Sequence, residues 1–236
     1  RIAYANPRFG PVHMLKFDLS DGYYRVRLSP EAALELAVII PGDTPSRNLV
    51  AIPLSLPMGW ALSPPYFCAY TETAADLSNS ALACPEVDNL VTLPPHPVEV
   101  QSQQPATSVP QLLHYAPSYV GPPGALLQNP IQYTDVYMDD FIALAQQPCL
   151  RRVLHHTLKG ILSVFRNDPH KDDPVTRRHI ISTSKMAKGE AAWSTRKVIL
   201  GWLLDSAAGT LQLQPHKGQR LGELLDLPAA AHVRPR

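Results

Sequence analysis

The stretch DVYMDDFIAL, from Asp135 to Leu144, places two adjacent acids inside an otherwise apolar, strand-like run. Burying a carboxylate without a counter-charge is costly, and two carboxylates side by side repel each other. The longer segment IQYTDVYMDDFIALAQ is typical of two strands joined at Met138, Asp139 and Asp140. The sequence therefore predicts a hairpin with both acids at its tip, and a positive charge is needed near them.

A third acid, Asp18, follows the apolar run HMLKF, which predicts the start of another strand. If that strand neighbours the hairpin, three carboxylates meet at one end of a sheet. No Lys or Arg occurs between Arg47 and Arg151, so the surrounding sequence offers no counter-charge. Carboxylates suit Mg²⁺ or Mn²⁺, and two such ions can clamp the oxygens of a phosphoryl transfer. An ordinary solvated turn is the alternative, because Asp is common in turns.

The first third of the chain mixes helix and strand patterns. Ser29 and Pro30 are typical of a helix start, and this helix is predicted to be short because LAVIIPG follows as a strand. NLVAIPLSLPMGW predicts another strand, and Ser63-Pro64 opens a second helix. Apolar residues recur along that helix at helical spacing: Phe67, Ala74 and Leu77.

After the acidic hairpin, QPCLRRVLHHTLKGILSVFRN predicts an amphipathic helix and NDPHKDDPVTRRH a charged loop. RKVILGWLLDSAAGTLQLQ predicts a hairpin of two strands around residues 206–209, and HKGQRLGELLDL begins a last helix. This order of elements indicates an α+β domain with a mainly antiparallel sheet.

Composition separates one segment from the rest. Residues 85–130 contain ten prolines and no Lys or Arg, which predicts an irregular or disordered insertion. Charge is also uneven: residues 1–150 hold 6 Lys or Arg and 13 Asp or Glu, whereas residues 151–236 hold 15 and 7. An acidic first part can hold cations, and a basic second part can hold a polyanion. The alternative is that the charges of each part only keep its surface solvated.

Cysteine usage, the lack of a long apolar run and the chain start indicate the cellular compartment of the protein. Three scattered cysteines, Cys68, Cys84 and Cys149, fit a reduced protein better than a disulfide framework. The sequence has no apolar run of membrane-spanning length, and it begins at Arg1 without a charged-then-apolar leader. We therefore expect an intracellular protein, cytoplasmic or nuclear and not secreted, cut from something longer.

Four ordered segments resemble retroviral-type reverse transcriptases, which are RNA-directed DNA polymerases. YMDD, from Tyr137 to Asp140, is similar to the family's active-site hairpin, and KFDLSDGYYRVRL to its first catalytic segment. LPMGWALSPPYFC resembles the segment in which a Leu-Pro-x-Gly turn leads into a helix. VILGWLLD resembles the primer grip. The likeness is greatest to LTR-retrotransposon polymerases, and AAWSTRKVILGW resembles such elements in fungi or oomycetes.

The resemblance implies a right-hand polymerase palm with a partial thumb. It also implies two Mg²⁺ ions, with Mn²⁺ as a substitute, that activate the primer 3′-hydroxyl. Lys185 would protonate the leaving pyrophosphate, with Lys188 as the competitor for that role and a solvated loop as the alternative for both. The implied metal ligands are Asp18, the Leu19 carbonyl, Asp139 and, less directly, Asp140.

The resemblance also implies how substrates are held. Tyr23 would lie under the incoming sugar and clash with a 2′-hydroxyl, unless it is a core aromatic. Met58 departs from the family, which usually has Gln there, because a thioether donates no hydrogen bond. The implied nucleotide-binding residues are Leu19, Asp21, Gly22, Tyr23, Met58 and Gly59. The implied primer and template residues are Trp60, Tyr137, Met138, Leu200, Gly201 and Trp202, of which Trp202 has a core position as its alternative.

The implied organisation is a palm interrupted by the insertion. Residues 1–84 form its first part, 85–130 the insertion, 131–195 its second part, and 196–236 the primer-grip-like hairpin and the start of the thumb. Because 17 residues precede Asp18, the fingers would be largely missing and this chain alone inactive. The implied partners are a primed RNA or DNA template, deoxynucleoside triphosphates, and the missing fingers, RNase H and integrase of a polyprotein, with no membrane.

Two alternatives remain open. The chain could be a non-catalytic retroelement remnant, or a domesticated module that binds nucleic acid or protein. A viral RNA-dependent RNA polymerase shares the palm but is disfavoured, because its residue at the Tyr23 position is usually polar and its hairpin has Gly before Asp-Asp. The sequence lacks GxxxxGK, HExxH and Gly-x-Ser-x-Gly patterns, which disfavours the chemistries they support.

Overall fold

The computed structural model describes residues 1–44, 47–84, 126–147, 149–165 and 179–225. The strands within these ranges are β1 His13–Asp18, β2 Val38–Ile40, β3 Leu49–Ala51, β4 Gln132–Tyr137, β5 Asp140–Ala145, β6 Arg196–Ile199, β7 Trp202–Asp205 and β8 Thr210–Leu213. The helices are α1 Pro30–Glu35, α2 Ser63–Ala83, α3 Leu150–Val164, α4 Thr183–Ala187 and α5 Pro215–Leu225. Short 3-10 turns lie at Ile2–Tyr4, Pro7–Phe9 and Gly22–Arg25.

Strand β5 is the centre of a three-stranded antiparallel sheet in the order β1-β5-β4. The β4–β5 hairpin turns through two residues, because Tyr137 pairs with Asp140. Strand β1 runs along the other side of β5, from the His13–Ala145 pair to the Asp18–Asp140 pair. The predicted hairpin is therefore present, and β1 is its neighbour.

Helices α2 and α3 pack against each other and against β4 and β5, which closes the core. The side chains of Phe67, Phe141 and Ile161 are completely buried there. Ala74 is buried as the periodicity of α2 predicts, but Leu77 is 46% exposed. The expectation for Leu77 is wrong because the buried side of the helix follows other positions: Phe67, Thr71, Ala74, Ala75, Ser78 and Leu82.

Polar side chains tie the sheet to its surroundings. At the outer edge of β4, the Asn79 amide of α2 accepts from the Thr134 N–H at 2.9 Å and donates to the Thr134 carbonyl at 2.8 Å. Buried Gln146 donates to the carbonyls of Asn6 and Gly10, which anchors the amino-terminal segment. These bonds pair backbone groups of Thr134, Asn6 and Gly10 that would otherwise need another partner.

Strands β6, β7 and β8 form a second antiparallel sheet, a three-stranded meander. The β7–β8 hairpin around residues 206–209 matches the prediction, but the expectation of only two strands is wrong. A further tight turn at Leu200 and Gly201 divides the apolar run into β6 and β7, with φ of 48° and 84°. Two successive residues with positive φ are the geometry of the commonest hairpin turn.

Mixed helices and antiparallel sheets confirm the α+β class. The charged loop of residues 167–179 lies almost wholly outside the described residues, as does the Pro-rich insertion up to residue 125, and the domain boundaries stay predictions. Cys68, Cys84 and Cys149 form no disulfide. In the described part of the chain, no helix combines the length and apolarity needed to cross a membrane.

Candidate metal centre

Strand register brings three acids together at one end of the central sheet. Asp18 is the last residue of β1, Asp140 the first of β5, and the two are paired. Asp139 occupies the two-residue turn that precedes β5. One carboxylate oxygen from each acid lies within 4.8 Å of the others. The predicted meeting of three carboxylates at a sheet end is therefore present.

Backbone contacts hold this end of the sheet in place. The Leu19 N–H donates to the Asp139 carbonyl at 3.1 Å, and the Ser182 N–H donates to the Asp18 carbonyl at 2.9 Å. Met138, in the hairpin turn, has a φ of 58°, which is uncommon for a residue other than glycine. Its sulfur lies 3.4 Å from the Cys68 sulfur on α2. The hairpin tip is thus fastened both to β1 and to α2.

Two lysines supply the positive charge that the acids require. The Lys16 ammonium lies 3.0 Å from the Asp140 carboxylate, and the Lys185 ammonium forms an ion pair with Asp18. Neither lysine is near the hairpin in sequence, so the counter-charge comes from outside the stretch between Arg47 and Arg151, which has no Lys or Arg. Lys16 comes from β1 itself, and Lys185 comes from α4.

The acids and lysines shift one another's pKa. Burial raises the pKa of Asp18 to about 6, with Asp139 and Asp140 adding to the rise and Lys185 opposing it. Burial lowers the pKa of Lys185, but its hydrogen bond to Asp18 and the charges of the three acids outweigh that effect, so its pKa is raised. Lys185 is therefore charged at neutral pH, and Asp18 gains a proton readily as the pH falls.

The donor set fits a divalent cation. Three carboxylates face two ammonium groups, so the cluster keeps a net negative charge when all five groups are ionised. The Asp140 Oδ1 atom is buried without a hydrogen-bond partner, and such an atom is costly unless something binds it. Carboxylate oxygens are the ligands preferred by hard cations such as Mg²⁺. This triad could therefore hold a metal ion.

Tyr23 lies beside the triad, on the 3-10 turn that follows β1. Its ring stacks on Phe67 of α2, with ring centroids 4.8 Å apart. A Cβ on Gly22 would lie 2.7 Å from the same Phe67 ring, so glycine allows this close approach. Burial raises the pKa of the Tyr23 hydroxyl, and the neighbouring Cys68 and Asp139 raise it further. Tyr23 is therefore a neighbour of Asp139.

The other predicted site residues occupy separate positions. Met58 is 68% exposed and Gly59 has a φ of 92°, in the turn ahead of α2 where Trp60 stacks on Tyr66. Leu200, Gly201 and Trp202 form the β6–β7 turn. Trp202 is 44% exposed, so its core alternative is wrong. No hydrogen bond, ion pair or ring contact among the described residues joins either turn to the triad.

The remaining predicted residues lie at the edges of the triad. Asp21 has a φ of 55° and begins the turn that carries Tyr23. The Leu19 side chain is buried in the core. The role of the Leu19 carbonyl as a metal ligand stays a prediction. Tyr137, at the end of β4, is 60% exposed. Lys188 lies after α4 and is exposed, whereas Lys185 contacts Asp18, so Lys185 is the one of the two that reaches the triad.

Lys16 is a site residue that the sequence patterns do not single out. A usable signal exists, because Lys16 precedes Asp18 by two residues and alternate strand residues share a face.

Comparison with known proteins adds no assignment: neither the protein-family models nor the curated proteins contain a match to this chain.

Proposed function

We propose that the chain forms the palm of a reverse transcriptase of the LTR-retrotransposon or retroviral type. The observation that carries the proposal is the meeting of Asp18, Asp139 and Asp140, within 4.8 Å, at the end of the sheet. These acids belong to the two sequence segments that resemble the family's catalytic segments. The reaction would be nucleotidyl transfer to a primer 3′-hydroxyl, and the new strand would be copied from an RNA or DNA template.

Asp18 and Asp139 would hold Mg²⁺, with Mn²⁺ as a substitute, and Asp140 would support them. Bound divalent ions would supply a lowered pKa for the attacking hydroxyl and neutralisation of the triphosphate. The Lys185 ammonium pairs with Oδ1 of Asp18, so this ion pair would open for that oxygen to become a metal ligand. Lys185 would then be a free, protonated group close to the triad, suited to donate a proton to the leaving pyrophosphate.

Tyr23 would select the sugar. Its ring is held by Phe67 on one side, and Asp139 is close to its hydroxyl. An aromatic ring fixed in this way leaves little freedom to move aside for a 2′-hydroxyl, which favours deoxynucleotides. Asp21, Gly22, Met58 and Gly59 would complete the nucleotide side.

The exposed turns would meet the primer and template. The β6–β7 turn presents Leu200, Gly201 and Trp202 to solvent, as a surface that grips a strand end requires. Tyr137 and Trp60 offer partly exposed rings on which bases can stack. Fingers, RNase H and integrase segments of a polyprotein would be the partners of the palm.

A non-catalytic remnant is the second candidate, and one observation favours it. Lys16 and Lys185 already pair with two of the three acids. Such an ion-pair network lets the fold hold the three acids without any metal, since it compensates most of the buried charge. The two functions differ in whether a divalent cation displaces the lysines.

Primer extension tests the proposal. The assay uses a poly(rA) template, an oligo(dT) primer and either Mg²⁺ or Mn²⁺. It is run with the chain itself and with a version that has the fingers of a retroviral polymerase fused ahead of Arg1. We expect metal-dependent extension by the fused version and its loss in Asp139→Asn. Binding of Mn²⁺ to both proteins, measured by electron paramagnetic resonance, is the companion readout. Extension unaffected by Asp139→Asn, or no extension together with no Mn²⁺ binding, would contradict the proposal.

A further inference from the structure

A cavity of about 280 Å³ opens next to the candidate metal centre, between β1, β6 and the segment after α4. Four basic residues line it: Lys16, Lys188, Arg196 and Lys197. We call these four residues the basic pocket. Glu190 is the one acid among the lining residues. The lining residues therefore carry three excess positive charges, or two when Asp140, which pairs with Lys16, is counted, in a chain whose formal net charge is +1.

Two of the basic groups form the inner wall. Lys16 is shared, because its ammonium lies 3.0 Å from Asp140 and 3.7 Å from the Glu190 carboxylate. The Lys197 ammonium donates to the Glu190 carbonyl at 2.8 Å. An ammonium group has three donors, so Lys197 keeps two for another partner. Burial lowers the pKa of Lys197, with Glu190 opposing that effect and Lys16 adding to it.

The other two basic groups form the rim. Lys188 and Arg196 are both exposed. Among the described residues, neither side chain has an acidic partner. A guanidinium fork and a nearby ammonium group are the donors that proteins use for oxyanions with several charged oxygens. Nothing in the described part of the chain satisfies these donors.

We propose that the basic pocket binds a phosphate group. The excess positive charge that remains after the Lys16–Asp140 pair is counted is two, which favours an anion with more than one charge, and a phosphate group carries about −1.5 to −2 at neutral pH. Ligand sites commonly have volumes of about 300–1,000 Å³, so a 280 Å³ cavity suits a phosphate or diphosphate better than a whole nucleotide. The source is either a free diphosphate or a nucleic-acid backbone. This site goes beyond the proposed function, because none of its donors has to be part of a polymerase reaction.

Pyrophosphate and a fluorescent single-stranded oligothymidylate are the two probes. Titration calorimetry with pyrophosphate and fluorescence anisotropy with the oligonucleotide are run in EDTA, with sodium chloride fixed. The double variant Lys188→Gln, Arg196→Gln removes the rim. Arg151→Gln, Arg220→Gln is the matched control, because it removes two exposed charges elsewhere on the chain. Asp139→Asn is measured as well, since it separates this site from the metal centre.

We expect the rim variant to bind at least one probe about tenfold more weakly, since two charge-assisted hydrogen bonds are lost. The control pair and Asp139→Asn should change binding less than about threefold. Glu190→Gln should strengthen binding, because its carboxylate competes for Lys16. A loss for the oligonucleotide alone identifies backbone phosphate as the source, and a loss for pyrophosphate alone identifies free diphosphate. Equal losses in the rim and control variants, or no loss with either probe, would overturn the proposal.

Discussion

Replacing Lys16 with Met would leave the Asp140 carboxylate without the ammonium group that faces it at 3.0 Å. At an effective dielectric constant of about 20 that attraction is about 5.5 kcal/mol, against a desolvation cost of several kcal/mol for each ion. The intact pair therefore adds little net stability, but one buried charge left without its partner destabilises the fold. Removing one partner of a buried pair costs about 3–5 kcal/mol. Because 17% of the Asp140 side chain stays exposed, we expect a loss of about 2–3 kcal/mol.

A divalent cation would replace the missing charge, so Mg²⁺ should restore most of that loss. A ligand at about 100 times its Kd adds about 2.7 kcal/mol to the free energy of unfolding. The assay is urea unfolding followed by tryptophan fluorescence, in EDTA and in saturating MgCl₂. With a slope of about 2 kcal/mol per molar urea, the midpoint in EDTA should fall by about 1 M.

Lys188→Met is the control for this experiment, because Lys188 is exposed and has no acidic partner among the described residues. Its midpoint should match that of the unaltered chain. If Lys16→Met is as stable as the unaltered chain in EDTA, or if Mg²⁺ leaves its loss unchanged, the reasoning about the metal centre is refuted.

Three further changes have expected outcomes. Asp18 holds its proton up to about pH 6 in the fold, against an ordinary pKa of 3.8. The unfolded chain therefore binds fewer protons in that window, so stability in EDTA should fall as the pH rises through it. Asp18→Asn should remove this slope in urea titrations. Tyr23→Ala should raise ribonucleotide incorporation by the fused polymerase, whereas Tyr23→Phe, which keeps the ring on Phe67, should not. Gly160→Ala should cost about 1–3 kcal/mol in thermal unfolding, since its Cβ would lie 2.2 Å from the Ser78 hydroxyl. Gly218→Ala, inside α5 with open space around it, should not destabilise, because alanine is the better helix former.

Local sequence signals predict most of the elements. Ser29 caps α1 by accepting from the Ala32 N–H at 3.3 Å, and Pro30 follows at the first helical position, as the pattern indicates. The β6–β7 turn escapes such reasoning. Leucine rarely adopts a positive φ, so Leu200 carries no turn signal although its φ is 48°. Gly201 alone does not reveal where an apolar run divides into two strands.

The candidate site is predictable in its acids. Of its two lysines, Lys185 is implied by the family resemblance alone, and Lys16 is not predicted at all. Alternation and the hairpin pattern place each acid at a strand end, because strand register follows from which face is apolar. These patterns do not show that β1 lies beside the hairpin, which the structure supplies. Lys185 lies 167 residues from Asp18 in sequence. Their contact depends on the bridge between Leu19 and Ile181, which brings the segment before α4 alongside the end of β1. No local pattern predicts such a long-range pairing.

The most direct test of the metal centre is a crystal structure of the chain grown with MnCl₂, with anomalous scattering used to locate manganese. We predict two peaks about 3.5–4 Å apart, bound by Asp18 and Asp139, with the Lys185 ammonium moved away from Asp18. Crystals of Asp139→Asn should lose at least one peak. An absence of manganese within ligand distance of Asp18 and Asp139, with Lys185 still paired to Asp18, would contradict the account.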